Sequence, residues 1–251
     1  MGWFVDLNFK ISRAFDRLLP AEMSVEGSQE YRRKLLPSIL KPNSVVWDIG
    51  SGRYPMVSAA LKSSLGVRVT GLDLDKTELL AAPAGAYDHI VVADATTYSG
   101  SGDADLVVSH CCFEHLPDCA GAFGSVASML RPGALAAIYQ PSGNAVFAKL
   151  NLLLPEAVKR RLLRMLGANS GRGGWPAVYD RCTPAQFADL ARGARLEVVD
   201  LRVFWISGYF MFFFPLHVAW RVWMLMARAI VGDQAAESFY IIVRKPDVQS
   251  N

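Results

Sequence analysis

Along residues 44–140, short apolar runs alternate with segments of helical period. Runs at 44–49, 68–73, 89–93, 105–109 and 134–140 predict strands. Stretches such as Val45-Val46-Trp47 and Leu106-Val107-Val108 lack polar alternation, as expected for strands buried on both faces. Residues 55–65, 76–82 and 118–130 predict the intervening helices, with Pro55 suited to a first helical position. Repeated β-α-β spacing of this kind implies a parallel sheet with right-handed crossovers. Upstream, 4–19 and 29–40 read as amphipathic helices closed by Pro20 and Pro42. Downstream, Thr183-Pro184-Ala185-Gln186 is a capping box opening a helix to about Ala191, and strands follow at 196–205 and 238–244.

Residues 203–231 break the pattern. From Val203 to Trp220 no side chain carries a formal charge, which raises a membrane-spanning helix. Gly208, Pro215, Arg221 and Arg228 weigh against spanning. From Pro215 onward His217, Arg221 and Arg228 share a narrow helical face beside a wide apolar side bearing Trp220, Trp223, Leu225 and Ile230. Two readings stay open: a core helix, or an element lying in a membrane interface.

Composition narrows the class. Hydrophobic residues make up 52% and charged residues 20% of the 251, which excludes a disordered or fibrous chain. A net charge of +3 is too small for wholesale nucleic-acid binding. Charge is concentrated, however: residues 145–181 carry Lys149, Lys159, Arg160, Arg161, Arg164, Arg172 and Arg181 against Glu156 and Asp180. This segment is either a solvated helix face or a surface attracting anionic lipid or a phosphorylated substrate. Four unevenly spaced cysteines and no signal-peptide pattern predict a reducing, cytoplasmic setting, peripheral at the inner face of the membrane if the interfacial reading holds. His110, Cys111, Cys112, His115 and Cys119 cluster on one loop without a CxxC pair, so no metal is expected.

The candidate chemistry lies at the strand ends. Gly50 and Gly52 follow the first strand, where a tight turn lets a ligand touch the main chain. Asp48 closes that strand, Asp73 the second and Asp94 the third. Each alone is an ordinary cap or turn residue. Together, above a glycine turn, they predict a nucleoside site: Asp73 can accept both ribose hydroxyls and Asp94 an exocyclic adenine amine. Asp48 would repel a pyrophosphate but not a cationic sulfonium with an amino-acid tail.

DIGSG, GLDLD, VADAT, DLVVSHCCFEHLPD and MLRPGALAAIYQP resemble the class I S-adenosylmethionine-dependent methyltransferases, in particular the small-molecule group with "EHL" after the fourth strand. The resemblance covers about residues 28–141 and, more loosely, 183–244. It implies a Rossmann-like α/β fold with a seven-stranded, mostly parallel sheet, helices on both faces and an antiparallel last strand. It further implies one methyltransferase domain over 1–251, with N-terminal helices at 1–42, a cofactor-binding half at 43–141, and inserts at 145–181 and 206–233 forming an acceptor pocket or membrane-surface element. By resemblance, Asp48, Gly50, Ser51 and Gly52 line the methionine end of S-adenosylmethionine, Asp73 and Leu74 the ribose, Asp94 and Ala95 the adenine, and Ser109 rims the cofactor. Ala134 stands where members often have glycine, at a turn.

Methyl transfer mostly needs alignment in a dry site, with a base for a hydroxyl acceptor. His110, Glu114 and His115 are the candidate catalytic residues, His115 foremost, against the alternative that it only orders its loop. A resemblance to bacterial polysaccharide-locus methyltransferases at "YDRCTP" implies a sugar hydroxyl in glycan or glycolipid assembly, with Tyr179, Asp180 and Arg181 toward the acceptor or in a loop salt bridge. A lipophilic quinone or fatty acceptor is the alternative. A nucleotide-dependent oxidoreductase lacks its catalytic Tyr/Lys or His/Arg arrangement, and a non-catalytic fold relative is opposed by the intact carboxylate set.

Overall fold

The computed structural model describes residues 2–154 and 175–247, so Lys159, Arg160, Arg161, Arg164 and Arg172 of the basic segment lie outside the described residues. Seven strands, β1 (Val45–Ile49), β2 (Arg68–Asp73), β3 (His89–Val92), β4 (Ala104–His110), β5 (Leu130–Pro141), β6 (Glu197–Phe204) and β7 (Ser238–Arg244), form one sheet in the order β3-β2-β1-β4-β5-β7-β6. Pairings from β3 to β5 are parallel, and β7 runs antiparallel to both neighbours. This is the Rossmann-like arrangement expected. It brings the carboxyl ends of β1 to β5 and the amino end of β7 to one edge.

Helices follow the residue pattern with one marked shift. α1 is Trp3–Asp16, and α2 runs over 27–39 with a π turn at Tyr31–Leu35. The helix expected from residue 55 starts later, as α3 (Ala59–Leu65), because Ser58 accepts from Leu61 N and becomes the cap. Residues 51–57 are instead drawn back over the strand tip by Met56 N, which donates to Asp48 Oδ2 at 2.7 Å. α4 (Lys76–Leu80), α5 (Cys119–Met129) and α6 (Val146–Leu153) precede α7 (Pro184–Gly193), whose Thr183 cap accepts from Gln186 N. α8 is Phe214–Val231.

Alternate residues of the central strands feed two apolar layers. Trp47, Ile49 and Val107 meet Phe113, Phe123, Phe187 and Phe239 on one face, while Val46, Leu106 and Val108 meet Leu36, Leu40 and Val57 on the other. Continuous burial holds for β1, β2, β4 and β7. It fails for β3, which is largely exposed because it ends the sheet.

α8 turns its polar face inward. His217 and Arg221 are fully buried beside Trp220 and Met224, while Val222, Trp223, Met226 and Ile230 point outward. Their partner is α1, whose buried residues are Asn8, Ser12 and Asp16 at helical spacing. Asp16 Oδ1 lies 2.9 Å from His217 Nε2 and accepts from Arg221 Nε at 2.7 Å. Arg221 also donates to Trp205 O at 2.8 Å and Met23 O at 3.1 Å. Burial alone would raise the Asp16 carboxyl, but His217 and Arg221 outweigh it and hold it below its usual range. No helix among the described residues is long and apolar enough to cross a membrane.

Asp16→Ala would strand a buried guanidinium, so it should lower the unfolding free energy by about 3–5 kcal/mol. Urea denaturation measures this, and a loss below about 1 kcal/mol would show that the seam contributes little.

Candidate functional site

The site is built where β1 and β4 end. Asp48 is wholly buried; its Oδ2 accepts the Met56 amide and its Oδ1 has no partner. Loss of hydration pushes this carboxyl up to about 7, with the Met56 hydrogen bond opposing. Gly50 and Gly52 both take left-handed backbone, at φ +71° and +47°. A Cβ on Gly50 would sit 2.2 Å from Cys112 Sγ, and one on Gly52 would sit 3.1 Å from Glu78 Cβ and 3.4 Å from Asp73 Oδ2. The turn therefore runs hard against the loop after β4 on one side and the Asp73 carboxylate on the other.

Asp73 is half-buried, accepts from Asp75 N at 2.9 Å, and is raised chiefly by burial. Leu74 beside it is exposed. Asp94 Oδ1 accepts both the amide and the hydroxyl of Thr96 at 2.8 Å, and Ala95 is buried in the core. Ser109 is buried, and its hydroxyl donates to Ile49 O at 3.0 Å, which ties β4 to the tip of β1. Arg53 and Glu78 pair across the far side of the glycine turn. Tyr87, which sequence reasoning missed, donates to Gly52 O at 2.8 Å and contacts the Ser51 hydroxyl. One signal for it existed: Gly71, inside β2, leaves the space that the Tyr87 ring fills.

The three carboxylates and the glycine turn thus share one edge of the sheet. An orphaned buried carboxylate oxygen beside a main-chain cradle suits a cationic, nucleoside-bearing group. Asp48, Gly50, Ser51 and Gly52 could take its charged end, and Asp73 and Asp94 its hydroxyl and amine donors. Among the described residues no group of three His, Cys, Asp or Glu side chains is arranged to hold a metal ion.

A second compartment adjoins it. A cavity of about 610 Å³ is lined by α1 (Phe9, Arg13, Asp16, Arg17), by residues 24–29, by His110, Cys111 and Tyr139 at the strand ends, by 206–211, and by Glu237 and Ser238. His110 stacks on Tyr139 with ring centroids 4.9 Å apart, and its Nε2 lies 2.8 Å from Ser28 Oγ. Burial first, then the charge of Arg32, lower its pKa to about 4, so the ring is neutral near pH 7. Glu237 is 2% exposed; Oε1 accepts from Trp220 Nε1 at 3.1 Å, and Oε2 has no partner. Burial pushes it up to about 7. Nothing in the sequence marked Glu237, because its partners come from distant segments.

The other expected residues lie outside this lining. Glu114 is buried, with Oε2 unpartnered, and burial pushes it up to about 8. Its carbonyl accepts from Val178 N and Tyr179 N. His115 Nδ1 is 3.1 Å from Pro176 O, and its Nε2 is 3.8 Å from Glu114 Oε1. Tyr179 is raised by burial. Asp180 accepts from Cys119 N at the start of α5, and Arg181 reaches Asp180 and Asp118.

Asp48, Glu114 and Glu237 all bind protons more tightly folded than unfolded. Their stabilising protonation is complete below the unfolded carboxylate range and is lost as pH rises through about 7 to 8. The unliganded protein should therefore melt at a lower temperature at pH 9 than at pH 6, and Glu114→Gln should flatten that slope. Scanning calorimetry across this range checks both.

Residues 47–138 match the family model described as "Methyltransferase domain". No curated protein matches the sequence. Similar solved structures include an S-adenosylmethionine-dependent methyltransferase from Methanosarcina mazei, at 18% identity and TM-score 0.54, covering 86% of this chain and 98% of that one. Haemonchus contortus phosphoethanolamine N-methyltransferase 2, in complex with S-adenosyl-L-methionine, aligns at 16% identity and TM-score 0.54 over 98% of this chain and 61% of its own. A geranyl diphosphate methyltransferase with GPP and sinefungin aligns at 12% identity and TM-score 0.53, over 86% and 77%. At these identities the structures speak for the fold, while the family model covers the glycine turn, the carboxylate set and the loop after β4. Residues 47–138 thus carry a methyltransferase domain, on a fold shared with enzymes that use S-adenosylmethionine as cofactor.

Proposed function

We propose that this enzyme methylates a hydroxyl oxygen of a glycan or other small polar acceptor, with a sugar hydroxyl in polysaccharide or glycolipid assembly as the class the cavity suits best. The observation that carries this reading is the makeup of the cavity walls. Phe147 and Tyr209 stack 4.3 Å apart on one side, an aromatic platform fit for a sugar ring. Glu26, Ser28, His110, Ser207 and Glu237 supply hydrogen-bonding groups around it. A purely lipophilic quinone or fatty acceptor suits this lining less, since it would leave buried polar groups unpaired. The cavity also takes in α1 and the 206–211 segment, in keeping with an acceptor pocket formed outside the cofactor half. We also infer peripheral attachment at the inner face of an anionic membrane, which suits an acceptor carried on a lipid.

Bound S-adenosylmethionine supplies a methyl group on a sulfonium whose charge is lost on transfer. For this chain's residues, the work is to hold that donor and to take the acceptor's proton. Asp73 would accept the ribose hydroxyls and Asp94 the adenine amine. Neutral His110, held by Ser28 and Tyr139, would orient the acceptor hydroxyl. Glu237 Oε2, ionised above about pH 7, would receive the proton as the hydroxyl oxygen gains its methyl group. Glu114 and His115 would order residues 176–179 rather than touch the acceptor.

Asp73→Ala should weaken S-adenosylhomocysteine binding about tenfold or more by calorimetry, the loss of a charge-assisted hydrogen bond pair. A Kd within threefold of wild type would remove Asp73 from the ribose site. Screening glycan acceptors for release of demethylated cofactor tests the acceptor class. On the best acceptor, kcat should rise with pH through about 7 because the base acts ionised. Glu237→Gln should cut kcat by ~10² and abolish that limb while leaving S-adenosylhomocysteine affinity unchanged. An unaltered pH profile would exclude Glu237 as the base.

A further inference from the structure

α1 and α8 are built inside out for a pair of helices at an aqueous surface. Their polar side chains face one another: Asn8, Ser12 and Asp16 meet the stretch of α8 that carries His217 and Arg221. Asn8 Oδ1 accepts from Phe214 N at 2.8 Å, and Phe15 packs edge-on against Phe214 and His217. With the hydrogen-bonding groups spent on this seam, apolar residues point away from the molecule. Every exposed residue of α8 is apolar, including Val222, Trp223, Met226 and Ile230, the last 80% exposed. Its two basic residues do not reach that face: Arg221 is buried, and Arg228 pairs with Glu22 and lies over the Trp205 ring. On α1, Trp3, Phe4, Leu7 and Ile11 recur at helical spacing and are exposed, Trp3 by 77%, and Leu18 in the following turn is exposed too. Soluble proteins seldom expose contiguous apolar patches of this kind without a partner.

The charges beside the patch indicate the partner. Lys10 and Arg13 are exposed and form the next row of α1 round from its apolar stripe, continued by the exposed Arg17 at its C-cap. Asp6 is the lone exposed acid of that helix. Arg13 and Arg17 have no ion-pair partner among the described residues, and both line the acceptor cavity. The order around α1 is thus apolar face, basic row, cavity mouth. A bilayer presents the complementary order, with hydrocarbon below and anionic phosphate at the level of the headgroups. Exposed tryptophans on both helices suit the interfacial depth.

We propose that α1 and α8 form a monotopic anchor that seats the enzyme on an anionic bilayer and sets the cavity mouth at headgroup level, Arg13 and Arg17 facing the phosphates. This deepens, and rests on, the peripheral attachment inferred above. It does not depend on the identity of the methyl acceptor. The anchor holds the protein in one leaflet, where an acceptor carried on a lipid would present its head to the cavity without leaving the membrane.

The test is flotation of the full chain at low salt with phosphatidylcholine vesicles that contain or lack phosphatidylglycerol. The wild type should float with the anionic vesicles and lose most of that binding on Lys10→Gln. Trp223→Glu combined with Ile230→Glu should reduce the floated fraction at least tenfold, with melting temperature and S-adenosylhomocysteine affinity unchanged. Brominated lipid should quench tryptophan fluorescence in the wild type and less in Trp3→Phe with Trp223→Phe. Wild-type protein that stays wholly in the soluble fraction overturns both the anchor and the peripheral attachment. Equal flotation of wild type and the double glutamate variant keeps attachment but overturns its assignment to these helices. A wild-type dimer in ultracentrifugation, split by the same glutamates and not binding vesicles, makes the face a contact between copies of this chain and overturns the proposal. Loss of S-adenosylhomocysteine binding by the wild type would instead count against the methyltransferase reading alone.

Discussion

The hydrogen bond from the Met56 amide to the buried Asp48 carboxylate is the constraint on which the cofactor side depends. It folds residues 51–57 back over the end of β1, so the helix that follows begins only at Ala59. That return sets the glycine turn between Asp73 and the loop after β4. Burial of a carboxylate is costly, and Asp48 keeps one oxygen without a partner. A site that holds such a group is poised to receive a positive charge, and a sulfonium with its ammonium tail supplies one.

A second buried acid organises the opposite wall. Asp16 draws His217 and Arg221 into the interior, and Arg221 in turn fixes the carbonyls of Trp205 and Met23. This seam joins α1 to α8 across about two hundred residues of chain, and Asp16 at its centre also lines the cavity. It also decides what the two helices show to the outside. With these polar groups turned inward, α8 shows apolar side chains to the outside and α1 an apolar stripe beside its basic row, so the cavity wall and the apolar exterior follow from one set of interactions.

Between the two walls lies a division of labour. The strand tips offer backbone and carboxylates, and the cavity offers aromatic rings with titratable groups held near neutrality by burial. His110 is kept uncharged and Glu237 is raised. The same physical cause, loss of hydration, lowers the imidazole and raises the carboxyl.

Strand alternation, the glycine turn and the aspartates at three successive strand ends were legible from residue order, because each depends on periods of two or 3.6 residues and on local backbone chemistry. The capping box at Thr183 was legible for the same reason. The tertiary structure alone decided that β3 lies at the sheet's edge, that Tyr87 fills the space above Gly71, and that Glu237 joins residues from α1, β4 and β5 in one cavity. It also turned the polar face of α8 inward, where the sequence left a core helix and an interfacial one both open. A helical wheel locates two faces but not which of them is buried. Here the partner helix carried its own acid to the same place, and an ion pair removed from water governs orientation more strongly than the apolar stripe beside it.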